Sequence, residues 1–392
     1  MKIKGFLKDV GGASRVTKRR QEVFDNASSN SQYNDPIGEV AKKRHAGIID
    51  LKISEIREAS KTAKTIRFVS HSHLPLFKAG QFLTIILNIG DSVVTRPYSI
   101  SSAPYETRGE NPYVEITVRK PKENGFVADY LYDNAQVGDE FKGEIGLGEF
   151  HYEALRDAKN VVAIAGGSGI TPFVSMAKAI KHGDLDYHLT ILFGSVSEDD
   201  IILKDELETC LCENVKVVHV LSGPSKTWNG EKGFINRDII KKYSEGDVTY
   251  FVCGPQVMYN FVKTELIALE VPSRRIRFEV FGQAPDVSLI KGYPLEFKDK
   301  YFKIIVLQGK CETVINAKAC ESIATSLERA VLKIHVGCRS GACGFCRLKI
   351  LEGTYFVSPN NDGRRSADKE FNYVHACATY PLSDLKIKIN ID

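Results

Sequence analysis

Cys338, Cys343, Cys346 and Cys377 are the residues whose types and spacing most directly state a chemistry. Three fall in the run GCRSGACGFC as C-x4-C-x2-C, and the fourth follows thirty residues later in HACA. Three thiolates from one tight loop, with a fourth returning from a separate element, form the ligand pattern of a [2Fe–2S] cluster. Gly337, Gly341 and Gly344 let that loop bend and bring its N–H groups toward the cluster sulfurs. Small Ser340 and Ala342 fit the same crowded turn. A structural zinc site would favour paired C-x2-C units, and the run holds one. The other cysteines read as structural: Cys210 and Cys212 in an expected helix, ELETCLCENV, and Cys311 and Cys320 flanking an expected turn. His375 lies two residues before a ligand, but a Rieske centre needs two histidines in place of two cysteines, so it is expected to be a neighbour.

A second group lies mid-chain. Gly166-Gly167-Ser168-Gly169-Ile170-Thr171-Pro172 follows the apolar run NVVAIAG and opens a helical pattern. Glycines there admit a pyrophosphate to the backbone, and a helix N-terminus favours its charge. Pro172 suits the first helical position. The loop is not the full dinucleotide fingerprint, since proline stands where the last glycine belongs, and it lacks the lysine of a Walker loop. Cys253-Gly254-Pro255 repeats the arrangement, a strand end running through Gly-Pro into a helix.

A third group is Arg96-Pro97-Tyr98-Ser99. Arginine binds phosphate, tyrosine stacks on a flat ring, and serine hydrogen-bonds a ring nitrogen. Taken in order, these groups resemble the ferredoxin–NADP reductase superfamily, and residues 300–392 resemble plant-type ferredoxins throughout. The resemblance implies that Arg96, Pro97, Tyr98 and Ser99 bind flavin. It implies that Val118, Arg119 and Lys120 lie along the flavin nucleotide, and that Gly125, Phe126, Val127 and Ala128 open a helix onto the flavin pyrophosphate. Relatives carry serine or threonine at the Ala128 position, yet the element is otherwise intact, so FAD is expected in preference to FMN. Gly146-Leu147-Gly148-Glu149-Phe150 resembles the closing turn before the nucleotide domain. Gly166, Gly167, Gly169, Thr171 and Pro172 would hold the nicotinamide nucleotide's pyrophosphate. Cys253 would border the hydride-transfer position, with Gly254 and Pro255 shaping its pocket. Phe281, in FEVFG, would lie against the flavin face. Ser99, Cys253 and Phe281 are thus the expected catalytic group.

The choice of nucleotide turns on charge. A 2′-phosphate needs a positive partner near the end of the second or third strand. The residues after HLTILFG are acidic, Glu198-Asp199-Asp200, and those after VKVVHVL are Ser222-Gly223-Pro224. NADH is therefore expected, with Lys226 near enough to leave NADPH as the alternative.

The elements that must position these groups follow from periodicity. IDLKISEI, KTIRFVS, FLTIILNI and VEITVRK read as short strands of a small antiparallel barrel. NVVAIAG, HLTILFG, VKVVHVL, VTYFVCG and RIRFEVF alternate with helical patterns, as in a parallel sheet covered on both faces. FKIIVLQ, SIATSLERAV, LKILEGTY and LKIKIN read as an α+β unit of the β-grasp ferredoxin kind. The expected organisation is an N-terminal extension of unknown role at 1–45, an FAD-binding barrel at 46–153, an NAD(P)-binding domain at 154–282, a linker at 283–299 and a plant-type [2Fe–2S] domain at 300–392. In the extension, VTKRRQEVF reads as a basic helix and NASSNSQYNDP as loop, the whole as a disordered or surface-packed arm. His71 and His73 are expected in a solvated loop.

Composition sets the bounds. The 53 basic and 49 acidic residues leave a net charge of +4, too little to argue for nucleic acid or membrane as partner. No apolar run reaches the roughly 20 residues of a membrane span, and the N-terminus lacks the apolar core of a secretory signal. With nine cysteines, an odd number, a disulfide framework is not expected and a cytoplasmic location is. The function implied is an NAD(P)H-dependent electron-transfer reductase. Hydride would pass to flavin and single electrons through the cluster to a partner protein such as an oxygenase, hydroxylase or hybrid-cluster protein. The alternatives are a self-sufficient reductase of a small acceptor such as a quinone and a redox-sensing regulatory subunit.

Overall fold

A computed structural model describes residues 4–27, 35–44, 47–90, 92–120, 126–279, 281–282, 286–359 and 362–389. The chain divides into two compact units, residues 1–42 and 43–392. The first holds a 22-residue helix, α1 (Lys4–Asp25), and most of α2 (Pro36–Arg44). The basic run VTKRRQEVF forms the second half of α1, where Val23 and Phe24 are exposed. Much of the expected loop that follows, 28–34, lies outside the described residues.

The second unit opens with six antiparallel strands, β1 (Ile48–Ser60), β2 (Ala63–Val69), β3 (Phe82–Ile89), β4 (Ser92–Ser99), β5 (Val114–Arg119) and β6 (Glu140–Leu147), in the order β4-β3-β6-β1-β2-β5. A bridge between Ile100 and Ile116, with Ser101 N–H donating to the Glu115 carbonyl, joins the two edge strands and closes the barrel. Alternation in β1 and β2 sends Leu51, Ile53, Ile66 and Phe68 inward, where they meet Leu83, Ile85 and Ile116. Helix α3 (Phe126–Asp133) covers one mouth by burying Val127 and Leu131.

A parallel sheet follows: β7 (Asn160–Gly166), α4 (Thr171–His182), β8 (His188–Ser195), α5 (Lys204–Cys210), β9 (Val215–Leu221), β10 (Glu231–Lys232), α6 (Arg237–Lys242), β11 (Val248–Cys253), α7 (Gln256–Ala268) and β12 (Ile276–Glu279). The strand order is β10-β9-β8-β7-β11-β12, so β7 and β11, the strands feeding the two glycine loops, are neighbours. Helices cover both faces over separate cores, one around Phe173 and Phe193, the other around Ile164 and Val252. Both faces being buried explains why the central strands β7 and β11 read as nearly continuous apolar runs. Two local expectations change. Pro172 stands at the second position of α4, after Thr171, and α5 ends at Cys210, leaving Cys212 outside the helix.

The C-terminal region contains β13 (Tyr301–Gln308), β14 (Cys311–Lys318), α8 (Ile323–Arg329), β15 (Arg347–Glu352), β16 (Tyr355–Val357), α9 (Ser366–Glu370), β17 (Tyr373–His375), β18 (Thr379–Pro381) and β19 (Leu385–Ile389). The five-stranded sheet runs β14-β13-β19-β15-β17, with β13 and β19 parallel. Helix α8, capped by Ser322 accepting from Thr325 N–H, lays Ile323, Ala324 and Leu327 on this sheet. Cys311 begins strand β14 and Cys320 lies in the turn after it, so a strand and not a turn separates them; the hydrophobic alternation that would have shown the strand is weak because CETVINAK is mostly exposed. Residues 283–285 of the expected linker lie outside the described residues, but its remainder buries Val287 and Tyr293 against Tyr380.

Candidate redox sites

The four cysteines predicted as ligands converge in two pairs. Cys338 and Cys343 lie so that each backbone N–H donates to the other's sulfur, at 3.4 and 3.3 Å. Cys346 and Cys377 bring their sulfurs to 3.3 Å of each other. Further N–H groups, of Ser340 and Cys377, point at the Cys338 and Cys346 sulfurs. In each pair one thiol is lowered and the other raised. Cys338 falls to about 5, chiefly through its hydrogen bond with Cys343, and burial opposes the shift; Cys343 rises. Cys346 falls through Cys377, which rises. Two thiol pairs, each served by N–H donors, fit a two-iron cluster that takes two thiolates per iron. Among the described residues no three His, Cys, Asp or Glu side chains gather as they would around a single ion.

The loop owes its shape to particular residues. Gly341 and Gly344 have φ of 80° and 78°. A Cβ on Gly337 would lie 3.2 Å from the Cys343 sulfur. Buried His375 places its Nδ1 2.5 Å from the Gly341 carbonyl and so ties the loop to β17.

The candidate hydride site is assembled from four elements, β4, β11, β12 and α7. Ser99, at the end of β4, donates its hydroxyl to Glu279 Oε2 at 3.0 Å. Glu279 ends β12, beside Cys253 at the end of β11. The Tyr259 hydroxyl, on α7, accepts from Gly254 N–H at 3.1 Å and donates to the Glu279 carbonyl. Burial pushes the Cys253 thiol and the Glu279 carboxyl well above their usual ranges, so both are held neutral. Neither Glu279 nor Tyr259 was singled out in the sequence. The available signal was a lone carboxylate at a strand end, in FEVF. Phe281, two residues on, packs edge-on against Phe82 of the barrel, ring centroids 5.1 Å apart.

The two glycine loops are in contact. A Cβ on Gly169 would lie 2.2 Å from the Cys253 carbonyl, and one on Gly166 would lie 2.6 Å from the Met258 sulfur. Gly169 is therefore required by loop–loop packing, whatever it also admits. Gly167 has φ 53° and lies against the Arg119 guanidinium. The Thr171 hydroxyl is spent within the turn, donating to the Ser168 carbonyl, and Pro255 caps α7. The N-terminus of the 12-residue α4 is thus presented beside Gly254 and Pro255, an arrangement that fits a dinucleotide pyrophosphate.

Around the barrel the expected flavin residues separate. Tyr98 is half-buried against the barrel core and Pro97 is buried in β4. Arg96 lies 3.8 Å from Glu328, whose carboxylate Arg339 already engages, and burial followed by Arg339 pushes Arg96 down to about 10. A guanidinium so weakly neutralised fits a phosphate oxygen. Val118 is in the barrel core, so its backbone alone is available to a nucleotide. Arg119 pairs with Asp200 at 2.7 Å and thereby bridges barrel and nucleotide domain. Lys120 pairs with Asp133 at 2.8 Å. Gly125 lies outside the described residues; Phe126 begins α3 exposed, Val127 is buried and Ala128 packs on the barrel core.

The acidic run after β8 also divides. Asp199 meets Lys61 and Asp200 meets Arg119, both toward the barrel. Glu198 alone of the three reaches the loop after β9, accepting from Ser225 N–H and hydroxyl at 3.1 and 2.5 Å.

Barrel, parallel sheet and thiol pairs together define a flavin- and nicotinamide-dependent oxidoreductase with an iron–sulfur domain. Family comparison agrees: residues 50–152 match the Oxidoreductase FAD-binding domain, 163–264 the Oxidoreductase NAD-binding domain, and 305–382 the 2Fe-2S iron-sulfur cluster binding domain. NADH-cytochrome b5 reductase 2 of Aspergillus clavatus is 34% identical over 228 residues, 55% of this chain and 68% of that protein. The protein of the same description from Aspergillus terreus is 32% identical over 228 residues, 55% and 69% of the two chains. Among solved structures, phthalate dioxygenase reductase is similar with a TM-score of 0.62 and 22% identity, over 88% of this chain and 98% of that one. An intact type IV self-sufficient cytochrome P450 monooxygenase is similar with a TM-score of 0.56 and 18% identity, over 87% and 40%. The chain belongs to the ferredoxin–NADP reductase superfamily, as a flavin/[2Fe–2S] reductase whose cofactors are FAD, NADH and a [2Fe–2S] cluster. Among the described residues no helix is long and apolar enough to cross a membrane.

Proposed function

We propose that this reductase passes electrons in a line, from NADH through FAD to the cluster and then to a separate acceptor protein. The observation that carries the reading is a hydrogen bond. Gly282 N–H, next to Phe281 at the exit of β12, donates to the Cys338 carbonyl at 3.2 Å. The first cluster cysteine is thereby held at the segment that closes the hydride site. The flavin supplies conversion of a two-electron donor into one-electron steps. The chain's own groups do the rest. Ser99 and Glu279 present a neutral hydrogen-bonding pair, Cys253 a neutral thiol, and the contacting glycine loops a binding edge for the dinucleotide. Glu198, joined to the loop that would border the ribose 2′ position, favours NADH, since a carboxylate there repels a 2′-phosphate. Val118, Arg119, Lys120 and α3 are assigned to the flavin nucleotide, and Cys338, Cys343, Cys346 and Cys377 to the irons.

The acceptor is a protein, in keeping with relatives whose names specify cytochrome b5 and a dioxygenase. Anaerobic rapid mixing with NADH tests the line: flavin absorbance should bleach first and cluster absorbance follow, with the cluster then emptied by a one-electron acceptor protein. A cluster that stays oxidised while flavin turns over would refute it.

A further inference from the structure

Arg339 immediately follows the first cluster cysteine, yet it belongs to another structure. It is 2% exposed, the largest fully buried side chain in the described part of the protein. Its φ of 57° is one that bulky residues rarely adopt and that persists where surrounding contacts enforce it. One of those contacts crosses the boundary between domains. Its Nε donates to the Thr95 carbonyl of β4 at 2.6 Å, and its guanidinium also grips Glu328 of α8. Thr95 adds a hydroxyl bond to the Val336 carbonyl at 3.3 Å. Thr95 stands directly before Arg96-Pro97-Tyr98-Ser99. The residue beside the cluster's first ligand is thus fastened to the peptide that begins the flavin motif.

We propose that Arg339 is a positioning residue for electron transfer, a buried clasp that fixes the cluster loop against flavin strand β4. The inference rests on the linear route above. The step it serves oxidises reduced flavin by one electron and reduces the cluster by one, with NADH as the source. The guanidinium spans two acceptors on different elements, which an ammonium cannot do with the same geometry. Glu328 holds the other side, so the clasp has a half that lies on α8, outside the thiol loop.

The test uses the full chain with flavin and cluster loaded. Arg339→Gly removes the clasp and relieves the left-handed backbone, so the loop is expected to keep its iron; Arg339→Lys restores one of two bonds. Anaerobic mixing with NADH should show flavin bleaching and ferricyanide reduction within about twofold of wild type. Cluster reduction in Arg339→Gly should slow about tenfold or more, since small misplacements of reacting groups carry large rate penalties. Arg339→Lys should fall between. Amide exchange across 335–341 should quicken in Arg339→Gly while the cluster's midpoint potential stays put. Equal cluster reduction in wild type and Arg339→Gly overturns the inference alone, and so does a slowing fully matched by a shifted potential. Should Arg339→Gly lose iron, Glu328→Gln decides: slowed cluster reduction with iron retained supports the clasp, and unchanged reduction overturns it. A wild-type cluster that NADH cannot reduce would sink the linear route, and the clasp with it.

Discussion

The cluster site and the hydride site are neighbours built on opposite plans. Three of the four cysteines assigned to the cluster come from one nine-residue loop, Cys338–Cys346, and their geometry is set by that loop's own glycines and N–H groups. The hydride site has no such local frame. Ser99 comes from the barrel, Cys253 and Glu279 from adjacent parallel strands, and Tyr259 from a helix, and each is placed by packing between elements. A site contained in one loop tolerates changes elsewhere and fails sharply when a ligand is lost. A site held between domains is graded, because every contact across the boundary contributes to its alignment.

This contrast orders the expected effects. Cys343→Ser should be the most severe: transfer to a cluster-dependent acceptor should fall about a hundredfold or more, while NADH–ferricyanide activity through flavin stays within about threefold. Parallel loss of both in a folded variant would mean that the two sites are not separable. Gly169→Ala should be intermediate. Its Cβ would collide with the Cys253 carbonyl, so the glycine loops must part, at a cost of about 1–3 kcal/mol in denaturant unfolding. It should also raise KM for NADH and leave iron content unchanged. An unaltered unfolding midpoint would show that the two loops are not in tight contact.

The smallest expected effect concerns pH. Buried Glu279 holds its proton well above the ordinary carboxylate range. The folded state thus binds a proton that the unfolded chain releases near pH ~4.3. The associated stability is fully present below that pH and declines as pH rises toward the raised folded value. Glu279→Gln keeps a neutral side chain, so the stability of wild type relative to this variant should fall with rising pH in urea titrations. A flat difference would place an ionised carboxylate beside Ser99.

Much was legible in the residues for reasons that differ by region. The cysteine spacing was legible because three of the four thiols fall within one nine-residue stretch of chain. Strands β7 and β11 stood out because burial on both faces leaves nearly uninterrupted apolar runs. Strand β14 did not, since its first four residues, Cys311 to Val314, are exposed on both faces and erase the alternation. Tyr259 was silent, and Glu279 showed only as a lone carboxylate at a strand end, because nothing near them in sequence explains a buried hydroxyl or a buried carboxyl. The division of Glu198, Asp199 and Asp200 between two directions was likewise invisible, as a charge run does not say which neighbour each member meets.

By itself, then, the order of residues determined the cofactor classes and the three-part architecture, since ligand spacing and hydrophobic period are local properties of a chain. Tertiary structure decided which groups meet: that Ser99 faces Glu279, that Gly169 yields to the Cys253 backbone, and that Arg339 turns from its own loop to Thr95 and Glu328. Such pairings join residues up to 244 positions apart, and only the packing of one domain on another can select them.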